Sequence, residues 1–320
     1  MSFARKVFKP LASILTSLFL LTTVGLAPAQ AQDSTASPTP LMKLSVRVID
    51  SSKQPVNDAR QEDFQVFEDG VPQTVSFFSK DDLPLSYGLV IDSSGSLRTQ
   101  INQVLEAGQL ILRSNKPEDE TFISSFTQEI EMTQEITTNK ATLLSALDTL
   151  KVRMGQTALI DALYLSADYL AQKTKSSGRR RALILVSDGE DRNSFYKEDK
   201  LVEILQTNDV QVFIIGLINE LDREGGLIKR SARDRATQLL ERIAKESGGR
   251  VFYPRSRDDI LEMAVEIMRD LRSQYVLGYS PAPNPKSKKR RKIKVTVAAA
   301  PDGGKRTAFT RTEYLSTTKP

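Results

Sequence analysis

Residues 85–92 read LSYGLVID and run without a break into Ser93-Ser94-Gly95-Ser96, and residues 182–190 repeat the arrangement as ALILVSDGE. Each is a short apolar run, free of charge until an aspartate ends it. Runs of this length bounded by turn residues read as strands buried on both faces. Val210–Leu217 (VQVFIIGL) is a third. Around them the spacing of apolar residues predicts helices over 98–113, 140–151, 158–173, 198–207, 233–246 and 258–272, with short strands at 121–126, 131–136 and 250–253. In the helix at 258–272, Ile260, Leu261, Ala264, Val265, Met268 and Leu271 fall on one face. In the one at 233–246, Ala236, Leu239, Leu240, Ile243 and Ala244 form the stripe, and Gly248-Gly249 follows as a C-cap. Strands alternating with helices predict an α/β fold over residues 84–272, a doubly wound, mainly parallel sheet with helices on both faces.

Outside that block the pattern is β. Leu44, Val46 and Val48 alternate with polar residues, and FQVFE (64–68) and QTVSFFS (73–79) flank the turn Asp69-Gly70. After residue 274 come Tyr275–Ser280, the alternation of Ile293, Val295 and Val297, and a strand over 306–314. Neither flank closes a core alone, so segments 42–82 and 275–317 are expected to pack together as a small β-sandwich. Asp302-Gly303-Gly304-Lys305 reads as a hairpin turn; Arg306 follows Lys305, so it is no phosphate-binding loop.

Composition narrows the chemistry. The 320 residues include no histidine, cysteine or tryptophan. That excludes an imidazole base, a Ser-His-Asp triad, a thiol nucleophile, disulfides and any zinc site built on nitrogen or sulfur. Carboxylates and hydroxyls remain, and these hard oxygen donors suit Mg²⁺, with Mn²⁺ or Ca²⁺ as alternatives.

Such donors collect at the ends of the strands. In an open α/β sheet the loops after the strands' carboxyl ends form the binding crevice. There the sequence places Asp92, Ser94 and Ser96 after one strand, Asp188 after another, and Thr157 at the start of a helix. Two carboxylates and three hydroxyls match an Mg²⁺ site that retains waters and keeps one position open. An acidic group of a partner can fill it.

These residues resemble a family. D-x-S-x-S after the first strand, a later threonine and an S-D-G further on are similar to the metal-ion-dependent adhesion site of von Willebrand factor type A domains. The resemblance implies that Asp92, Ser94, Ser96, Thr157 and Asp188 are its five metal positions. Gln156, where a second glycine is common, is the one departure. D-F-x-V-x-E-D-G at Asp63–Gly70 and Y-x-L-G-Y at Tyr275–Tyr279 resemble the flanks of a bacterial branch of that superfamily. What the resemblance implies is a protein-binding module, without enzymatic activity, whose ion is completed by an Asp or Glu of a protein ligand. A metal-dependent hydrolase with Glu190 as base, and an envelope protein with a vestigial site, are the competing readings. Glu190, Asp191 and Asn219–Glu224 either frame the rim or are solvated loop.

Residues 1–31 read as a cleaved secretory signal. Arg5, Lys6 and Lys9 precede an uncharged run over 11–26, and Ala29-Gln30-Ala31 fits a peptidase site. Periplasmic or extracellular location follows, with 32–41 a disordered tether. Without the leader, 42 basic residues face 40 acidic ones, and Lys286–Lys294 alone holds seven of the former in nine positions. That patch reads as a solvated hairpin approach, with contact to a polyanion or membrane surface as the alternative. It lacks interleaved aromatics, so nucleic acid is not an expected partner. Arg179-Arg180-Arg181 reads as surface.

Overall fold

The computed structural model describes residues 41–80, 82–174, 178–221, 231–281 and 290–315. The expected signal at 1–31 and all but the last residue of the tether lie outside them. The N-terminal flank supplies β1 (Met42–Asp50), β2 (Phe64–Glu68), β3 (Val71–Gln73) and β4 (Phe77–Ser79). The middle follows as β5 (Leu85–Asp92), α1 (Ile101–Arg113), β6 (Glu120–Phe126), β7 (Ile130–Thr137), α2 (Lys140–Leu147), α3 (Leu159–Lys173), β8 (Arg180–Ser187), α4 (Glu198–Thr207), β9 (Val210–Gly216), α5 (Ala232–Ser247), β10 (Arg250–Phe252) and α6 (Arg257–Arg272). The C-terminal flank adds β11 (Gln274–Tyr279), β12 (Arg290–Val297), β13 (Arg306–Phe309) and β14 (Glu313–Leu315).

The middle is the expected α/β fold. Its six strands run in the order β10-β9-β8-β5-β6-β7, parallel except for β7, which is antiparallel to β6. Every residue of β5 and β9 is buried, and the period-2 alternation divides their side chains between two cores. Leu85, Tyr87, Leu89 and Ile91 of β5 pack with α1, α2 and α6. Val90, with Leu183 and Leu185 of β8, faces α3, α4 and α5. Gly88 shares that second face with Val90, and a Cβ there would stand 2.1 Å from the Phe122 ring, which is why the position is glycine. Helix α5 ends as expected, with Gly248 in the left-handed region at φ +81°.

From β5 the chain moves outward to β6 and β7, then returns to β8 on the other side. The strand order therefore reverses between β5 and β8, which pair in parallel from Leu85↔Arg180 to Ile91↔Val186. This is the topological switch point, where two consecutive carboxyl ends open a crevice. Asp92 ends β5, and Asp188 directly follows β8.

The flanks form the expected sandwich, with sheets ordered β13-β1-β11-β4 and β14-β12-β2-β3 around one core. Leu44, Val46 and Val48 meet Phe64, Val66, Tyr275, Leu277, Ile293 and Val295 there. Three details differ from the sequence reading. The run 73–79 is not one strand: β3 pairs with β2, whereas β4 pairs with β11 in the opposite sheet. The run 306–314 divides likewise, β13 joining β1 and β14 joining β12. Consequently the turn at Asp302–Lys305, with Gly303 at φ +83°, carries the chain between sheets and closes no hairpin.

Two buried ionic groups brace this architecture. Glu68 is paired with Arg291 and accepts from the Tyr279 and Tyr314 hydroxyls at 2.7 and 3.1 Å. Arg291 is therefore no part of a free basic surface, and Arg290 faces Glu313 at 3.9 Å; Lys286, Lys288 and Lys289 of the same patch lie outside the described residues. Asp270 of α6 sits 3.5 Å from Arg47 of β1 and 3.2 Å from Arg250 of β10, joining the sandwich to the α/β layer.

Candidate metal centre

Each aspartate at the switch point first secures its own turn. Asp92 Oδ1 accepts the Ser94 amide at 2.9 Å, and Asp188 Oδ1 accepts the Glu190 amide at 2.9 Å. These are Asx turns, which Asp and Ser favour where a strand must turn sharply. Gly189, at φ +80° and packed on Leu240, takes the conformation that the second turn requires.

The remaining oxygens face one another. Ser96 donates to Asp188 Oδ2 at 2.6 Å, and Ser94 Oγ and Ser96 Oγ are 2.9 Å apart. The structure thus brings Asp92, Ser94, Ser96 and Asp188 into one hydrogen-bonded group. No hydrogen bond among the described residues links Thr157 to this group; its carbonyl accepts from the Arg192 and Asn193 amides of the loop after β8, at 2.9 and 3.2 Å. The next amide, Ala158, donates to Thr127 at 2.8 Å. This residue therefore ties the loop after β8 to the loop after β6, and its side chain is buried.

Sequence reasoning passed over two participants. Ser187 donates its hydroxyl to Asp92 Oδ2 at 2.8 Å and accepts from the Gly189 amide at 3.0 Å. Its position beside Asp188 in the S-D-G motif was the available signal. Arg153 donates its amide to the Ser93 carbonyl at 2.7 Å and its guanidinium to Ser93 and Ser125 hydroxyls and to Glu131. No local pattern distinguishes it from a surface arginine.

Of the rim acids, Glu190 is bidentate on Arg192 at 2.8 and 2.6 Å. Asp191 braces the start of α3 through the Ile160 amide and the Ser194 hydroxyl. In the stretch 219–224, Asn219 donates to the Pro254 carbonyl and Glu220 accepts from Thr99; residues 222–224 lie outside the described residues.

The electrostatics favour a cation. Asp92 is 0% and Asp188 3% exposed, and buried charges require a partner. Arg192, the cation of the same loop, is committed to Glu190. Burial, and then the charge of Asp188, push Asp92 up to about 6. Burial also raises Asp188, against the lowering effect of its bonds from Ser96 and the Glu190 amide. Two acids held this way are short of positive charge. Among the described residues no three Asp or Glu gather at one point, so an ion here would rest on two carboxylates, hydroxyls and water. That donor set fits Mg²⁺, which keeps several waters.

Residues 88–190 match the von Willebrand factor type A domain family. No curated protein matches the chain. Solved structures that are similar include BatB from Bacteroides thetaiotaomicron, 18% identical over 58% of this chain and 98% of that one, TM-score 0.44. A von Willebrand factor type A protein from Catenulispora acidiphila is 13% identical over 87% of this chain and 72% of its own, TM-score 0.47. Proximal thread matrix protein 1 from the mussel byssus, with a zinc-occupied MIDAS motif, is 16% identical over 64% and 49%, TM-score 0.46.

Proposed function

We propose that the von Willebrand factor type A domain of this chain, which the match at 88–190 identifies, is a metal-dependent protein-binding module. Asp92, Ser94, Ser96, Thr157 and Asp188 hold Mg²⁺, and an Asp or Glu of a partner protein completes its shell. The reading rests on where the apolar surface lies. Phe195 at 85% and Met154 at 79% are the two most exposed large apolar side chains among the described residues. Both stand on loops of the metal centre: Met154 packs against Gly95, and Phe195 follows Asp188, its amide held by Asp161 at 2.8 Å. Phe195 lies edge-on to Tyr196, which is stacked on Tyr164 at 3.8 Å. Exposed apolar anchors beside a charged centre are the composition of a protein-binding surface.

The carboxylate named as a hydrolase's base, Glu190, is paired with Arg192. We therefore read the module as non-enzymatic. The export signal read in residues 1–31 places it in the periplasm or outside the cell; no helix among the described residues is long and apolar enough to cross a membrane. Isothermal titration tests the centre: Mg²⁺ binds the chain at one site and Asp92→Ala abolishes that heat. Equal heats for both proteins would overturn the proposal.

A further inference from the structure

Several arginines of this chain are committed to the fold, including those whose composition predicts a place at the surface. Arg180 of β8 is 4% exposed and donates to the carbonyls of Leu271 and Gln274. Arg181 donates to the Thr174 hydroxyl and to the carbonyls of Thr174 and Asn208. On the loops of the metal centre, Arg153 is paired with Glu131 and Arg192 with Glu190. Arg98 is different. It is exposed, and among the described residues its guanidinium meets the Met154 sulfur, at 3.8 Å, and no carboxylate. The Glu220 carboxylate accepts from its neighbour Thr99 instead, at 3.0 Å.

The backbone fixes where this charge stands. Gly95–Leu97 form one 3₁₀ turn, with Ser94 as its N-cap and Arg98 as its C-cap, and the Arg98 amide returns to the Gly95 carbonyl at 3.3 Å. Leu97 is buried and holds the turn down, which leaves Ser96 and Arg98 outermost. Residues three apart eclipse in such a turn, so Arg98 stands over Gly95, between the two serines of the metal centre. Met154 marks the same spot from another loop, its sulfur 3.2 Å from where a Cβ on Gly95 would be. The acids below are turned inward: Asp92 accepts from the Ser94 amide and Ser187, and Asp188 from the Glu190 amide and Ser96. A cation thus stands at the mouth of an acidic centre and is bonded to neither acid.

We propose that Arg98 selects the partner: beyond the Asp or Glu that completes the ion's shell, the bound segment carries a second acid, which Arg98 holds. The inference rests on the metal-dependent reading given above. In an extended segment the next side chain on the same side is two residues on, about 7 Å away, so the motif recognised is an acid, any residue, and an acid. The guanidinium fork matches a carboxylate in geometry as well as in charge.

Selection of a displayed library of random short peptides on the immobilised full chain in Mg²⁺, with elution by chelator, is the test. The wild-type chain should enrich peptides with two acids spaced in that way. Arg98→Gln should enrich peptides with a single acid, and Arg98→Glu peptides with a basic residue in place of the second acid. The best wild-type peptide, resynthesised, should bind Arg98→Gln about fivefold more weakly, the worth of an exposed charge pair, and Arg98→Lys should restore part of the loss. The same peptides enriched by wild type and Arg98→Gln, or equal affinities, would overturn the role of Arg98 and leave metal-dependent binding standing. Loss of Mg²⁺ binding in Arg98→Gln would place its effect on the metal centre and overturn partner selection. No enrichment at all, or retention that chelator does not release, would overturn the metal-dependent reading and this inference with it.

Discussion

Ser187 donates its hydroxyl to Asp92 Oδ2 across the two strands of the switch point, 2.8 Å from oxygen to oxygen. The bond orients a buried carboxylate without occupying the mouth of the site. Partners of this kind are worth about 10–100-fold in metal affinity. Ser187→Ala should retain the fold and weaken Mg²⁺ by about that factor in a calorimetric titration, whereas Ser187→Thr should keep most of it. An unchanged affinity in the alanine variant would remove Ser187 from the site.

In the proposed centre, proton and metal would compete for Asp92. Its carboxyl, raised from 3.8 to about 6 by burial and by Asp188, keeps a proton in the folded chain that the unfolded chain has already released. The metal-free protein is therefore most stable, on account of this group, below about pH 4, and loses that increment as pH rises through 6. A shift of this size amounts to about 3 kcal/mol. Thermal melts in chelator should show the decline, and Asp92→Asn should flatten it. Added Mg²⁺ should raise the melting temperature above pH 6 and do little at pH 4. A melting temperature independent of pH between 4 and 7 would contradict the assignment.

Met154 and Phe195 offer no hard oxygen ligand, so their truncation would separate the proposed partner binding from metal binding. The double variant Met154→Ala, Phe195→Ala should bind Mg²⁺ with wild-type affinity. Retention of envelope proteins on the immobilised chain, measured with Mg²⁺ and with chelator, should fall at least tenfold, since central apolar anchors each contribute about 2 kcal/mol. Undiminished, metal-dependent retention would place the contact surface elsewhere.

The Glu68–Arg291 pair gives a contrast within the sandwich. Removing one partner strands a buried charge, so Arg291→Met should destabilise the chain by about 3–5 kcal/mol in urea unfolding. Replacing both, Glu68→Leu with Arg291→Met, should recover most of that loss, although the hydroxyls of Tyr279 and Tyr314 then lack their acceptor. A double variant as unstable as the single one would show that the tyrosine bonds dominate.

Gly88 offers a test of packing alone. A methyl group at this position would overlap the Phe122 ring, and overfilling of this kind costs about 1–3 kcal/mol. Gly88→Ala should be destabilised to that extent, and Phe122→Leu in the same chain should relieve part of it.

Much of this molecule is legible in its sequence, for identifiable reasons. The central strands announce themselves because burial on both faces demands unbroken apolar runs, and the aspartates that end them mark the crevice. Helix α4 is found at its predicted limits, while α2 stops at Leu147, short of the predicted 151. The divided strands were not legible. In QTVSFFS the apolar pattern continues across the point where pairing passes from β2 to β11, because both sheets bury the same core. The arginines of β8 were hidden for another reason: a run of like charges ordinarily belongs in water, and only tertiary packing reveals that carbonyl oxygens surround it. Ser187 was in plain view, but nothing local told which hydroxyl would reach Asp92.

The placement of β1 has a consequence for how the chain is made. Both of its edges are covered by strands from the far end of the sequence: Met42 pairs with Tyr279 on one side and Val48 with Ala308 on the other. Synthesis runs from the amino end, so β1 leaves the ribosome with two bare edges, one open until β11 and the other until β13 has followed. The α/β layer can complete its own sheet in the interval. A copy interrupted before β13 would leave the Arg47–Asp50 edge of β1 unpaired and open to a neighbouring strand. The pairing that closes the sandwich is thus delayed until β13 has joined β1.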